Sequence, residues 1–165
     1  MGLDNIESQI VDHLKRYTIR EWNTPEDTGR KWTRIIKQAL VDLGHTLHYN
    51  VYSAPKDKLN SDWGEWLYDL CWAVERNDCQ ELRLKLIAEI QWNTNHKYIR
   101  GDFQKLTVGL SKYRVMITEY KDITKFEELV HICKNACSSS NRSRYLMVGI
   151  PYDDPNNIVS RSWTS

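Results

Sequence analysis

The spacing of apolar residues changes near residue 45, and this change limits the folds that the chain can adopt. From Trp32 to Leu43, apolar residues recur every three or four positions, which predicts an amphipathic helix. The helix is predicted to start at the capping sequence Thr24-Pro25-Glu26-Asp27 and to end at Gly44. Over residues 47–52, apolar residues recur every second position, which predicts a strand. We therefore expect a sheet with a helix packed against it.

Two more strands are predicted before the next helix. The segments 65–74 and 83–92 both alternate in the pattern of a strand, so they are expected to form an antiparallel hairpin. The later predicted elements are a helix over 102–110 capped by Asp102, a strand over 113–120, a helix over 124–137 that opens with a capping box at Thr124 to Glu127, and a strand over 144–150. A short helix over 4–17 is predicted to precede these elements, and the polar tail over 151–165 is predicted to be irregular.

This order of elements predicts an α/β fold with a central mixed β-sheet flanked by helices. Consecutive strands favour hairpins, and strands separated by a helix favour parallel neighbours. The 165 residues fit a single domain, whose core is predicted over about 24–120.

Composition narrows the classes of function. Hydrophobic residues make up 41% and charged residues 27% of the chain, as in folded soluble proteins. No stretch approaches the roughly 18 apolar residues of a membrane span, and the first residues include acids where a leader would be apolar. We therefore expect a cytoplasmic protein with no membrane partner. The formal net charge is only +1, but residues 93–121 carry six basic and two acidic side chains, a local net charge of +4.

Two acids interrupt strands that are otherwise mostly apolar. Asp69 shares a predicted strand face with Leu67 and Cys71, and Glu89 shares one with Ile87 in the next strand. A buried carboxylate costs free energy unless it is paired or binds a cation. Cross-strand neighbours lie roughly 5 Å apart, so the two carboxylates could hold one hard cation. The predicted cation is Mg²⁺, or Mn²⁺, with water and substrate phosphate as its other ligands.

This arrangement resembles the PD-(D/E)XK nuclease superfamily, whose restriction endonuclease-like core consists of a helix, three strands, a helix and a strand. Asp69 lies in the second predicted strand and Glu89-Ile90-Gln91 ends the third, and the resemblance covers roughly residues 24–120. It implies that Asp69 and Glu89 bind the metal ion and that the carbonyl of Ile90 helps to hold it. Gln91 occupies the position where the superfamily normally has a lysine that orients and polarises the attacking water.

In other members of the superfamily this lysine comes from the following helix, which implies Lys105 for the role here. Gln91 can form hydrogen bonds but carries no charge. Lys85 shares the predicted face of Glu89, but four residues of strand span roughly 13 Å, so Lys85 is expected to contact a phosphate and not the metal. The resemblance also implies an additional acid from the first helix, and Glu26 is the candidate.

Structural roles remain open for the same residues. Ion pairs within the sheet would satisfy both carboxylates without a metal ion. The basic residues considered for such pairs are Lys85, Arg83 and Arg114. Lys105 would then be a solvated lysine on the surface of a helix. Trp63 and Trp92 are predicted mainly as packing residues, with base stacking as the alternative.

The sequence therefore leads to two hypotheses from different classes. In the first, the chain is a magnesium-dependent endonuclease that hydrolyses phosphodiester bonds of DNA or RNA, with Asp69, Glu89, Gln91 and Lys105 as catalytic residues. In the second, it is a catalytically inactive nuclease-fold module that binds nucleic acid or a protein partner. The expected nucleic acid is DNA, and the resemblance implies a homodimer, because restriction-type members often act as dimers.

Overall fold

A computed structural model describes residues 2–22, 29–54, 59, 61–64, 67–76, 81–137 and 143–165 of the chain. Within these ranges the chain forms four helices and six strands. The helices are α1 (Asn5–Glu21), α2 (Gly29–Thr46), α3 (His96–Val108) and α4 (Ile123–Ala136). The strands are β1 (Asn50–Ser53), β2 (Leu70–Arg76), β3 (Glu81–Gln91), β4 (Tyr113–Tyr120), β5 (Arg144–Pro151) and β6 (Val159–Thr164). None of the helices in the described ranges has the length and apolar content needed to cross a membrane.

The strands form one mixed sheet whose spatial order is the order along the chain. β1, β2 and β3 are antiparallel neighbours, β3, β4 and β5 are parallel, and β6 returns antiparallel to β5. Each parallel connection contains one helix, α3 or α4, because parallel neighbours need a crossover. The predicted α/β fold with a central mixed sheet is confirmed.

Helices cover both faces of the sheet. α1 and α2 contribute to one apolar cluster, which includes Leu40, and α3 and α4 contribute to a second cluster, which includes Phe103. In β3, Leu86 and Ala88 join the first cluster and Ile87 joins the second, as the predicted alternation requires. The strands β4 and β5 are almost continuously buried because both of their faces are covered.

The starts of α3 and α4 differ from the predicted ones. Asn95 caps α3 by accepting a hydrogen bond from the Lys97 amide, so Asp102, the predicted cap, lies inside the helix. Asp122 caps α4 by accepting from the Thr124 amide, where the sequence predicted a capping box that starts at Thr124. At α4 two residues able to cap lie two positions apart, whereas α3 begins about two turns before Asp102.

The end of α2 also differs from the predicted one. The helix continues past Gly44, and the backbone amides of residues 47–49 bond to its last carbonyl groups. His48 adopts the left-handed conformation, with φ of 61°, which turns the chain into β1. The strand therefore begins at Asn50 and not at residue 47. The predicted start of the helix, Thr24 to Asp27, lies outside the described residues.

The tail that was predicted to be irregular contains β6. Its backbone pairs with β5, and Trp163 packs in the second cluster with its ring stacked on Tyr145 at a centroid distance of 5.7 Å. The prediction was wrong because an edge strand can be polar on one face and still be held by backbone hydrogen bonds to its neighbour.

Gly44 lies where α2 approaches the sheet most closely. A Cβ atom at this position would lie 2.6 Å from Val51 Cγ2 and 2.7 Å from the indole nitrogen of Trp72. That indole donates a hydrogen bond to the Leu40 carbonyl at 3.0 Å. The absence of a side chain at Gly44 therefore permits the contact between helix and sheet.

We expect Gly44→Ala to lower the free energy of unfolding by about 1–3 kcal/mol, since the added methyl group overpacks Val51 and Trp72. Gly101 is a matched control inside α3, where an added Cβ would meet no atom within 4 Å. Gly101→Ala should be neutral or stabilise the fold by up to about 1 kcal/mol. Urea unfolding followed by tryptophan fluorescence measures both variants, and equal unfolding free energies would contradict the role assigned to Gly44.

Candidate active site

The end of the β2–β3 hairpin brings Asp69 and Glu89 together. β2 begins at Leu70, so Asp69 precedes the strand in which it was predicted to lie. Leu70 pairs with the residue before Glu89, and one further step along this register places Asp69 opposite Glu89. The Asp69 carboxylate accepts a hydrogen bond from the Ile90 amide at 2.9 Å, which holds it beside β3. The residues predicted as metal ligands are therefore neighbours.

Glu89 is the most buried charged side chain of this site, with 4% of its side chain exposed. Its Oε2 atom lies 3.2 Å from Lys105 Nζ. Its Oε1 atom is buried and has no hydrogen-bond partner in the described part of the chain. A buried carboxylate oxygen without a partner is costly. This oxygen fits the position of a cation ligand.

Electrostatics at the site favour a charged lysine and a carboxyl group that titrates near neutral pH. The pKa of Glu89 is raised from its ordinary 4.5 to about 7; burial is the largest cause, the negative charge of Asp69 adds to it, and Lys105 partly offsets both. Burial alone would lower the pKa of Lys105, but the hydrogen bond to Asp102 and the charge of Glu89 raise it above its ordinary value. Lys105 is thus a cation at any physiological pH.

Lys105 belongs to a hydrogen-bonded network that joins α3 to β3. Its Nζ lies 2.8 Å from Asp102 Oδ1, one helical turn earlier, and its side chain is 48% exposed. Asp102 accepts a hydrogen bond from Gln91 Nε2 at 2.6 Å, and Gln91 Oε1 accepts one from the Asn93 amide at 2.9 Å. The structure therefore places Lys105 beside Glu89 and joins Gln91 to Lys105 through Asp102. It adds Asp102, which sequence analysis had assigned to a helix cap.

Lys37 of α2 belongs to the site and was not among the residues predicted for it. Its side chain is 6% exposed, and its Nζ lies 3.3 Å from Asp69 Oδ1 and donates to the Ala54 carbonyl at 3.3 Å. The signal was present, because Lys37 falls at helical spacing with Leu40 and Gly44, two buried positions of α2. A lysine on the buried face of a helix indicates a buried ion pair.

The basic residues considered as partners for the two acids have other positions. Arg114 is buried and donates to two backbone carbonyls at the end of α3 and to the Tyr145 hydroxyl. It therefore stabilises the second cluster and does not add to the basic surface. Lys85 is the extra residue of a β-bulge in β3, and Arg83 lies beyond that bulge. Glu26, the implied additional acid, lies outside the described residues.

Two cavities lie at the carboxyl end of the parallel strands, with volumes of about 570 and 1000 Å³. Trp92, the residue after β3, lines both of them, and Trp63 lines neither, as judged from the described residues. Asp69 and Glu89 are not among the described lining residues. The carboxylate site is therefore separate from the two cavities. Glu89 lies near the end of β3, and Trp92, the next residue after β3, lines both cavities.

Comparison of the chain with protein-family models, with curated proteins and with solved structures gives no match. Across the described ranges, no group of three or more His, Cys, Asp or Glu side chains converges as a metal site. A magnesium site commonly uses only one or two carboxylates from the protein, with water and phosphate as further ligands. Two carboxylates such as Asp69 and Glu89 are therefore enough protein ligands for a magnesium ion.

We expect the buried carboxyl group of Glu89 to make stability depend on pH in metal-free buffer. Between pH 4.5 and about 7 the folded chain keeps a proton on Glu89 that the unfolded chain releases. The free energy of unfolding therefore falls as the pH rises through this interval. Glu89→Gln should remove this contribution and be more stable than the wild type above pH 7, by on the order of 3 kcal/mol at most.

Urea unfolding in EDTA, repeated between about pH 5 and 8, measures the difference between the variant and the wild type. Glu128→Gln, at an exposed position of α4, is the matched control and should keep the wild-type dependence. A Glu89→Gln variant with the wild-type dependence would show that this carboxyl group does not titrate as stated.

Proposed function

We propose that the chain is a metal-dependent nuclease with a restriction endonuclease-like core that hydrolyses phosphodiester bonds of DNA, or of RNA. The observation that carries the proposal is the buried Oε1 of Glu89, which has no hydrogen-bond partner among the described residues and lies beside Asp69 and Lys105. The order of the elements supports it, since a helix, three antiparallel strands, a helix and a parallel strand follow one another as in the superfamily that the sequence resembles.

The carboxylates of Asp69 and Glu89, with the carbonyl of Ile90, would hold Mg²⁺ or Mn²⁺. A divalent cation bound there would polarise a phosphate oxygen and make bound water more acidic. Glu89 offers a carboxylate oxygen with no competing donor among the described residues, and the hydrogen bond from the Ile90 amide keeps Asp69 in place. The residues present therefore fit a divalent cation.

Lys105 is the proposed catalytic cation. Its half-exposed ammonium group can donate to an attacking water or to a phosphate oxygen on which negative charge develops. Asp102 orients it, and Gln91 orients Asp102. Because both ends of the Gln91 amide are already bonded, we assign Gln91 a positioning role and not direct contact with water.

Charge and assembly complete the proposal. Lys97 and Arg100 are exposed on α3, the helix that carries Lys105, and would contact the nucleic-acid backbone. A cytoplasmic location and a homodimer belong to the same proposal. Light scattering measures the assembly directly.

We expect Asp69→Asn and Glu89→Gln each to abolish Mg²⁺- or Mn²⁺-dependent cleavage of a labelled DNA or RNA while circular dichroism shows an intact fold. Lys105→Ala should lower kcat by about 10²–10³-fold, the usual effect of removing one group that stabilises developing charge. Lys15→Ala, at an exposed lysine of α1, is the matched control and should leave kcat nearly unchanged. Wild-type cleavage rates in the Asp69 or Glu89 variants would refute the nuclease.

A second candidate is the catalytically inactive nuclease-fold module that binds nucleic acid or a protein partner. Lys37 is the observation that favours it, since its ammonium group lies 3.3 Å from Asp69 while Lys105 lies 3.2 Å from Glu89. Each carboxylate thus already has a cation from the protein. Gln91 at the usual lysine position supports the same candidate.

Isothermal titration calorimetry with Mn²⁺ separates the two candidates. The nuclease requires binding to the wild type that disappears in Glu89→Gln, whereas the inactive module requires no binding at millimolar Mn²⁺. The Lys37→Gln variant tests whether Lys37 competes with a metal ion for Asp69. If Lys37 takes the place of a metal ion at Asp69, Mn²⁺ binding should appear or become tighter in this variant, because the competing charge is gone.

A further inference from the structure

The smaller cavity is a cleft walled by aromatic rings, called the aromatic cleft below. Its rings come from four separate segments: Trp22 at the end of α1, Trp32 in α2, Trp92 after β3 and Tyr152 after β5. Its volume is about 570 Å³, within the range of small-molecule sites. Ligands of α/β proteins commonly bind at this end of the sheet, beyond the carboxyl ends of the parallel strands.

Contacts with the protein hold the rings in position. The Trp92 indole donates a hydrogen bond to the Thr33 hydroxyl at 2.7 Å, and the rings of Trp22 and Trp32 lie 5.5 Å apart. All three tryptophans are only partly buried, and Tyr152 is 61% exposed. Preorganised aromatic faces that remain accessible can stack on a planar ligand at little entropic cost.

The polar groups of the aromatic cleft are mainly acceptors of hydrogen bonds. Glu119 and Asp153 contribute carboxylates, and the buried Lys31 lies 5.7 Å from the centroid of the Trp32 ring. Carboxylate oxygens accept hydrogen bonds from amino and ring N–H groups. A planar ring with such donors at its edge is the chemistry of a nucleobase.

The larger cavity continues from the aromatic cleft, with which it shares Trp92 and Glu119. Its walls include Lys121 and Lys125, and also polar side chains of the segment that leads into α3. The residues of that segment that line it are Asn93, Thr94, Asn95 and His96. Lysine and amide side chains are typical contacts of a nucleic-acid backbone.

The aromatic cleft also lies near the carboxylate site. Trp92 directly follows β3, three residues or roughly 10 Å along the chain from Glu89. The two side chains lie on opposite faces of the sheet, because Trp92 packs against the first cluster whereas Glu89 pairs with Lys105 of α3. The larger cavity lies at the edge of the sheet, where residues 93–96 lead into α3, so a nucleic-acid strand that crosses it would pass over the start of α3.

We propose that the aromatic cleft holds an unpaired base of a single-stranded nucleic acid whose backbone follows the larger cavity toward the start of α3, the helix that carries Lys105. The course of the backbone rests on the proposed nuclease function, whereas binding of the base does not require cleavage. The substrate class that follows is single-stranded nucleic acid, or a duplex with an unpaired or extruded base.

Fluorescence anisotropy with a labelled single-stranded oligonucleotide, in EDTA, tests the aromatic cleft separately from catalysis. The single strand should bind more tightly than a duplex of the same sequence. Tyr152→Ala and Trp32→Leu should each weaken binding of the single strand by roughly 5- to 150-fold, the usual effect of losing one stacking ring. Tyr152→Phe keeps the ring and should bind like the wild type. Trp63→Ala is the matched control, because Trp63 is 54% exposed beside β1, at the other edge of the sheet.

Thermal melting shows whether each variant is folded, and Tyr152 is exposed enough for its removal to leave the fold intact. Unchanged affinity in both Tyr152→Ala and Trp32→Leu would overturn the proposal, and so would tighter binding of the duplex. Binding of a trimethyllysine peptide but not of the oligonucleotide would also overturn it, because the rings and acids would then recognise a cation.

The experiments can reject the proposed base-binding role of the aromatic cleft and the proposed nuclease activity independently of each other. Glu89→Gln should abolish cleavage and retain oligonucleotide affinity, whereas Tyr152→Ala should raise KM. Tight binding of single strands by a wild-type chain that cleaves nothing would reject the nuclease and retain the aromatic cleft. Cleavage with the same KM in the wild type and in Tyr152→Ala would retain the nuclease and reject the aromatic cleft.

Discussion

The charge of one buried carboxylate, Glu89, constrains the arrangement of the elements around it. A buried ion costs several kcal/mol unless opposite charges and hydrogen bonds compensate it. Here α3 supplies Lys105 directly, and α2 supplies Lys37 to the neighbouring Asp69. β3 carries Glu89, and Asp69 directly precedes β2. The site therefore forms only when the hairpin is paired and both faces of the sheet are covered.

β3 connects the carboxylate pair, the hydrogen-bonded network of α3 and the aromatic cleft. Glu89 lies in the strand, Gln91 ends it and fixes Asp102 of α3, and Trp92 enters the aromatic cleft. β3 is antiparallel to β2 on one side and parallel to β4 on the other. The antiparallel side brings Asp69 to the site, and the parallel side creates the open carboxyl edge where the cavities lie. A mixed sheet thus places the carboxylate pair and the aromatic cleft at the same end of β3, on opposite faces of the sheet.

The errors in the predicted elements have local physical causes. Asp122 caps α4 in place of Thr124, two residues later, because neighbouring residues compete for the same role. Asn95 caps α3, and Asp102 lies about two turns inside the helix. β6 escaped prediction because its pairing depends on backbone hydrogen bonds to β5, which leave little trace in side-chain pattern. The residues that alternate most clearly, in β3, were assigned to the correct faces up to the bulge at Lys85.

The sequence by itself determined the α/β class, the succession of most helices and strands, and the pair of acids at the end of a hairpin. It could do so because apolar spacing reports which residues share a face, and because an acid within an apolar strand needs a partner. The resemblance already implied Lys105, whereas tertiary structure alone decided that Lys37 pairs with Asp69, that Asp102 joins the network, and that four aromatic rings meet in one cleft. These residues lie on different elements, and their proximity depends on how the helices pack over the sheet, which local periodicity does not encode.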